Sequence, residues 1–152
     1  MRFCVLLWQI SAFTVAHTVT LALGAMGLVT VPATIVEPLI AASIVFVAVE
    51  NIASPKLHAW RPAVVSGFGL LHGLGFASVL GEVGLPQVQF IHALIGFNIG
   101  VELGQLTVIA IMILTLGLWF GNQSWFRTRI AVPASALIGI IGAWWCVERT
   151  LL

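Results

Sequence analysis

His17, His72, Asn98 and Glu102 are the residues of this chain whose types and placement could do chemistry. His72 lies in Gly67-Phe-Gly-Leu-Leu-His72-Gly-Leu-Gly-Phe-Ala-Ser78, inside an apolar run from Pro62 to Val83. His17 stands in the first apolar stretch beside Thr14, Thr18 and Thr20. Asn98, Glu102 and Gln105 are spaced i, i+4, i+7, which sets all three on one helix face. Two imidazoles, a carboxylate and amides at one depth would form a site for a divalent metal. Imidazole suits nickel, cobalt, copper, zinc or iron, and carboxylate tolerates most of them. The expected metal ligands are therefore His17, His72, Asn98 and Glu102. A mid-span carboxylate such as Glu102 pairs with a cation or proton donor, or sits protonated. The bland reading of His72 is a packing imidazole bonded to a backbone carbonyl.

The elements that must position these residues are membrane helices. Hydrophobic residues make up 61% of the chain and charged ones 7%, against roughly 25% charged in a soluble domain. Mean hydropathy is +1.14. The chain reads as one all-α domain over 1–152, an integral, multi-pass membrane protein. A net charge of +1 gives no footing for a nucleic-acid partner. Apolar runs long enough to cross a bilayer predict about five spans. These are Phe3 to about Val29, Ala33 to Val49, Pro62 to Val83, Phe90 to Phe120, and Ile130 to about Val147. The fourth is overlong and must tilt or project. Pro32 suits a helix start, where a missing N–H costs nothing.

Basic residues in short loops set the orientation. Arg2, Lys56, Arg61, Arg127 and Arg129 fall on the side of the N-terminus, and Arg149 alone on the other. That asymmetry predicts an inside N-terminus and an outside C-terminus. It puts Glu37, Glu82, Glu148 and His92 at the outer face and Glu50 with Asn51 at the inner one. Outer acids would draw cations toward the site by raising their local concentration. The same residues can also be ordinary helix-end groups, with Glu50-Asn51 simply stopping the second helix. His58 lies in a loop and is expected to be solvated. Five short helices enclose little interior, which leaves room for a homo-oligomer.

Five segments, taken together, resemble the HupE/UreJ family. They are Phe13-Thr-Val-Ala-His17-Thr-Val-Thr-Leu21, Val36-Glu37-Pro-Leu-Ile-Ala-Ala-Ser-Ile44 with Glu50-Asn51, Phe68-Gly-Leu-Leu-His72-Gly-Leu-Gly-Phe76-Ala, Phe97-Asn98-Ile-Gly-Val-Glu102-Leu-Gly-Gln105, and Gly142-Ala-Trp-Trp145-Cys-Val-Glu148-Arg149. The histidine-glycine and asparagine-glutamate-glutamine segments are the most specific. The resemblance implies a bacterial inner-membrane protein tied to hydrogenase or urease, held to be a nickel or cobalt permease or a metal-incorporation accessory. Carried over residue by residue, it points to His17, Glu37, Glu50, Asn51, His72, Asn98, Glu102, Gln105 and Glu148. It also implies an earlier membrane segment with a His and an Asp-His pair. This sequence contains no Asp, so the expectation is a fragment, a half that depends on a partner for that segment, or a member with a different activity.

The expected function is transport or delivery of a divalent transition metal, Ni²⁺ first, with Co²⁺, Zn²⁺ or Cu²⁺ behind it. Glu37, Glu82, Glu148 and His92 would form the outer approach and Glu50 the inner exit. One alternative is a metal-dependent intramembrane hydrolase, with His17 and His72 on the metal and Glu102 as general base. The other is a non-transporting accessory subunit whose polar core fixes helix packing.

Overall fold

Long apolar segments must satisfy their own backbone hydrogen bonds in lipid, and here they do so as helices. A computed structural model describes residues 3–55, 58–82 and 87–151, with side chains for 6–55, 58–77 and 91–151. The helices are α1 (Phe3–Ala25), α2 (Ala33–Ala53), α3 (Arg61–Glu82), α4 (Gln87–Met112) and α5 (Val132–Leu151). No strand occurs among the described residues. The chain is an all-helical protein. Four stretches are long and apolar enough to cross a membrane: Leu6–Ala25, Ala33–Ala53, Ile91–Phe120 and Arg127–Leu151.

The helix ends have local causes. Gly27 adopts a left-handed φ of 72°, and Leu28 N–H reaches back to the Leu23 carbonyl at 3.0 Å while Gly27 N–H reaches Gly24 O at 2.9 Å. This Schellman closure satisfies two orphan carbonyls. It ends α1 at Ala25, short of the Val29 expected from hydropathy. α2 runs past Glu50-Asn51 to Ala53, so that pair does not stop it. α4 continues through a π turn, Ile113–Gly117, into a last α turn, Leu118–Phe120. Another π turn, Arg127–Ala131, leads into α5. Pro133 explains it: with no N–H there, the Arg129 carbonyl loses its α-helical partner, and Val132 N–H instead closes the wider turn onto Arg127 O.

Small residues decide the packing. α1 and α3 run parallel and lie closest of all the pairs. A Cβ at Gly69 would sit 2.6 Å from the Phe13 carbonyl oxygen, and one at Gly73 would overlap Thr20 Oγ1 and His17 O. Thr20 Oγ1 also donates across to the Leu70 carbonyl at 2.7 Å. α2 and α5 run antiparallel, with Gly139 against Ala48 and Gly142 against Ile44 and Val45. α4 lies antiparallel to α1, and an added Cβ at Gly96, Gly100 or Gly104 meets nothing within 4 Å. The buried apolar set is thin: Leu21, Val36, Ala41, Ala48 and Ala77. Most large apolar side chains, such as Trp8, Leu114, Ile140 and Trp144, point outward, as a lipid-facing surface requires.

Candidate functional site

Glycines place His72. Because Gly69 and Gly73 let α3 press onto the α1 backbone, the imidazole one residue before Gly73 is drawn into the bundle. His72 Nδ1 lies 2.8 Å from the Phe68 carbonyl oxygen. A carbonyl only accepts, so Nδ1 carries the proton, and the lone pair of the neutral ring is on Nε2. This is the bland carbonyl-bonded geometry, and it is equally how proteins fix the tautomer of a metal-ligating imidazole. His72 walls a cavity of about 310 Å³ together with Phe13, Ser43, Val47, Asn51 and Ser135. Polar oxygens from α2 and α5 thus share a chamber with an imidazole from α3.

His17 is nearby but enclosed. Its side chain is 1% exposed, and neither ring nitrogen has a hydrogen-bond partner. Phe13 and Phe97 stack with it at 5.9 and 6.2 Å between centroids, and Phe76 meets it edge-on at 5.6 Å. Phe13 also touches His72 edge-on at 5.3 Å, so one ring contacts both imidazoles. Unpaired buried polar groups are uncommon in native proteins and call for an explanation. Thr14 Oγ1 is unpaired in the same way.

The α4 residues take different surroundings despite their common spacing. Asn98 is buried and already bonded: its Oδ1 lies 2.7 Å from Thr18 Oγ1 and its Nδ2 donates to Leu94 O at 2.8 Å. Thr18 Oγ1 is also 2.7 Å from Thr14 O, so one hydroxyl proton serves two acceptors. Glu102 is half-buried and has no hydrogen-bond or ion-pair partner among the described residues. Gln105 Oε1 and Gln9 Nε2 are both buried without partners, and both residues wall a wider cavity of about 580 Å³ among α1, α3 and α4. Among the described residues no three His, Cys, Asp or Glu side chains converge. His17 and His72 come together around Phe13, while Asn98 is tied to Thr18 and Glu102 stands apart.

The helix-end residues are more tightly organised than hydropathy alone implies. Arg61 Nε lies 2.9 and 2.8 Å from the two Glu50 carboxylate oxygens, and its Nη2 donates to Asn51 Oδ1. Arg127 reaches from the π turn to the end of α2, donating to the carbonyls of Ile52 at 2.9 Å, Asn51 at 3.2 Å and Ser54 at 3.4 Å. A guanidinium there satisfies orphan carbonyls and meets the negative end of the helix dipole. At the opposite end of α2, Arg149 pairs with Glu37 at 2.5 Å. His58 is not free in solvent: its Nε2 lies 3.1 Å from Ser54 Oγ, and it stacks on Trp60 at 5.6 Å. His92 is exposed and Glu148 half-buried. The side chain of Glu82, like Arg2 and Lys56, lies outside the described residues.

Between these ends and the centre lie separate cavities along α2 that share wall residues. A space of about 190 Å³ shares Val47, Asn51 and Val65 with the His72 cavity and reaches Glu50 and Arg61. Another of about 230 Å³ shares Ile44 with it and reaches Glu37 and Arg149. Glu37 and Glu50 are about 20 Å apart along the helix axis at 1.5 Å per residue. The row of cavities thus runs nearly the length of α2 with His72 near its middle.

A protein-family model described as HupE / UreJ protein matches residues 1–149. The chain belongs to the HupE/UreJ family. Membership carries a nickel or cobalt accessory or transport role. No curated protein and no solved structure matches the chain. In this HupE/UreJ protein, His17 and Asn98 lie where α1 meets α4, and His72 lies beside Phe13 of α1 on the cavity walled by α2, α3 and α5.

Several residues escaped sequence reasoning. Arg61, Arg127 and Arg149 were legible as loop charges that orient the chain, and their carboxylate and carbonyl partners were not. Ser43 and Ser135, which share the His72 cavity, carry no spacing signal at all. Thr18 and Thr20 offered one: hydroxyls two residues apart beside a buried histidine, able to reach α4 and α3.

Proposed function

We propose that this HupE/UreJ protein passes a divalent transition metal across the bacterial inner membrane, Ni²⁺ before Co²⁺, Zn²⁺ or Cu²⁺, with His72 as the central ligand. One observation supports this above the others. The Phe68 carbonyl holds His72 Nδ1–H, which leaves the Nε2 lone pair uncommitted, and His72 walls a cavity that also carries Asn51, Ser43 and Ser135. Mixed nitrogen and oxygen donors suit borderline divalent ions, and a site without thiolate binds weakly enough to release. His17 joins His72 once the Phe13 ring that touches both imidazoles turns aside. Asn98 and Glu102 extend the site when α4 shifts against α1, and Gln105 supports them. Glu37, Glu148, Glu82 and His92 gather cations at the outer mouth, while Glu50 and Asn51 mark the inner one. In this reading all five helices span, the N-terminus is inside and the C-terminus outside.

The hydrolase alternative is less well supported. A resident catalytic zinc takes three protein ligands, and no such trio converges among the described residues. A second copy of the chain would seat on the open Gly96, Gly100, Gly104 ridge, since small residues let membrane helices approach. A partner carrying the His and Asp-His segment would complete the ligand set. The test is Ni²⁺ uptake into proteoliposomes. His72→Ala is expected to abolish it while the protein still purifies as a folded species, and undiminished uptake would remove His72 from the path.

A further inference from the structure

The row of cavities along α2 is lined at each end by an arginine–carboxylate pair, and the two pairs are not alike. Glu37 and Arg149 are 39% and 55% exposed. That pair lies open at the protein surface, and exposed pairs hold weakly. Glu50 and Arg61 are only 11% and 15% exposed. Arg61 Nε contacts both Glu50 oxygens, and Nη2 takes Asn51 Oδ1 as well. Both acceptors of this second pair belong to the cavity row: Glu50 and Asn51 wall the outer of the two chambers, and Asn51 also walls the one that holds His72. An ion moving from the His72 chamber toward the C-terminus of α2 meets Asn51, then Glu50. Both seats are filled by a guanidinium.

We propose that Arg61 is a tethered cation that latches this end of the path. It fills the Glu50–Asn51 seat in the closed state and must swing off before a divalent cation from the His72 chamber can pass. The inference rests on the transport reading and adds the residue that controls release. Two cations on one partly dry carboxylate repel each other with little screening, which disfavours their sharing it. A divalent ion arriving at Asn51 therefore competes directly with the guanidinium for Glu50. Arg127 is unsuited to this task, since three bonds from Nη1 and Nη2 tie it to carbonyls at the end of α2. The exposed Arg149–Glu37 pair opens more readily, so the bundle in this state is loosely shut at one end and firmly shut at the other. That asymmetry lets an ion come in at Glu37 and wait at His72.

The latch can be read without any metal. Val47 walls both chambers, so Val47→Cys in a chain carrying Cys4→Ala and Cys146→Ala, oriented in sealed vesicles with the reagent added only on the Glu50 side, reports access from that end. A charged, water-soluble methanethiosulfonate labels that thiol only through an aqueous route. Glu50→Gln and Arg61→Gln each break the pair from one side. Both are expected to raise the labelling rate about tenfold or more, a change equal to ~1.4 kcal/mol in the closed–open balance. Arg61→Lys keeps a cation on Glu50 and is expected to stay near the starting rate. Unchanged labelling in both neutral variants would overturn the latch. Should each single variant fail to fold, the Glu50→Gln/Arg61→Gln double variant leaves no unpaired charge and carries the same expectation. Ni²⁺ flux measured on the same proteins separates the two ideas. Flux with unchanged labelling removes the latch and keeps transport; raised labelling with no flux in any variant keeps the latch and removes transport.

Discussion

Gly73→Ala tests the close α1–α3 contact that positions both histidines. A methyl group there would overlap the Thr20 hydroxyl and the His17 carbonyl oxygen, and would come within 2.9 Å of Leu21 N. Two of those atoms are backbone and cannot turn away. Gly67, two turns earlier on α3, has nothing within 4 Å of the same position, so Gly67→Ala is the control. Both substitutions gain the same helix propensity, and the comparison cancels it. What is left is overpacking, about 1–3 kcal/mol. If the helices part to relieve it, the Thr20–Leu70 bond is lost as well, and an interhelical bond in a membrane protein contributes about 0.6–1.7 kcal/mol. Gly73→Ala is therefore expected to be about 3 kcal/mol less stable than Gly67→Ala, near the sum of mid-range values for the two effects. Titration of the micelle-bound protein with dodecyl sulfate, followed by far-UV circular dichroism, measures the difference. Coincident unfolding curves would refute the reasoning, because α1 and α3 could then separate without loss.

His17→Phe fits an aromatic surround and removes two unpaired ring nitrogens, so the variant should gain about 1–3 kcal/mol against unfolding while losing Ni²⁺ uptake; a loss of stability would mean the ring nitrogens are satisfied. Thr18→Val and Asn98→Ala should each cost about 0.6–1.7 kcal/mol, and the double variant little more than either, since both break one bond between α1 and α4; additive losses in the same unfolding assay would place the two side chains apart. Arg127→Ala should destabilise by about 1–2 kcal/mol through loss of the charged cap on α2, with the deficit shrinking as salt is raised; a deficit indifferent to salt would assign the effect to packing.

The membrane class, the helices and their approximate limits were legible because lipid leaves an apolar chain so few options. Boundaries drifted where chemistry overrode hydropathy: Gly27 stopped α1 although Leu28 and Val29 are apolar, and Pro133 widened the turn leading into α5. The functional residues were legible by type and less so by company. His17 and His72 both touch Phe13, yet periodicity could not separate Asn98, which turns inward to Thr18, from Glu102 on the same face. The cause is the position of α4, which touches α1 along a narrow strip, so a rotation of a few tens of degrees decides which side chain is enclosed. Arginine partners were illegible for a related reason. Arg61 meets Glu50 only because the link between α2 and α3 brings the two helix ends together, and nothing in the spacing of the two residues says so.

The most direct test of the central claim is the Ni²⁺ affinity of the detergent-purified protein, wild type beside His72→Ala. If His72 Nε2 is a ligand, loss of the imidazole should weaken saturable binding by at least about tenfold, the low end of what altering a metal's ligand shell does, with circular dichroism unchanged. Equal affinity in the two proteins would contradict it, and would leave the imidazole at the centre of the α2 cavities as a packing residue bonded to Phe68.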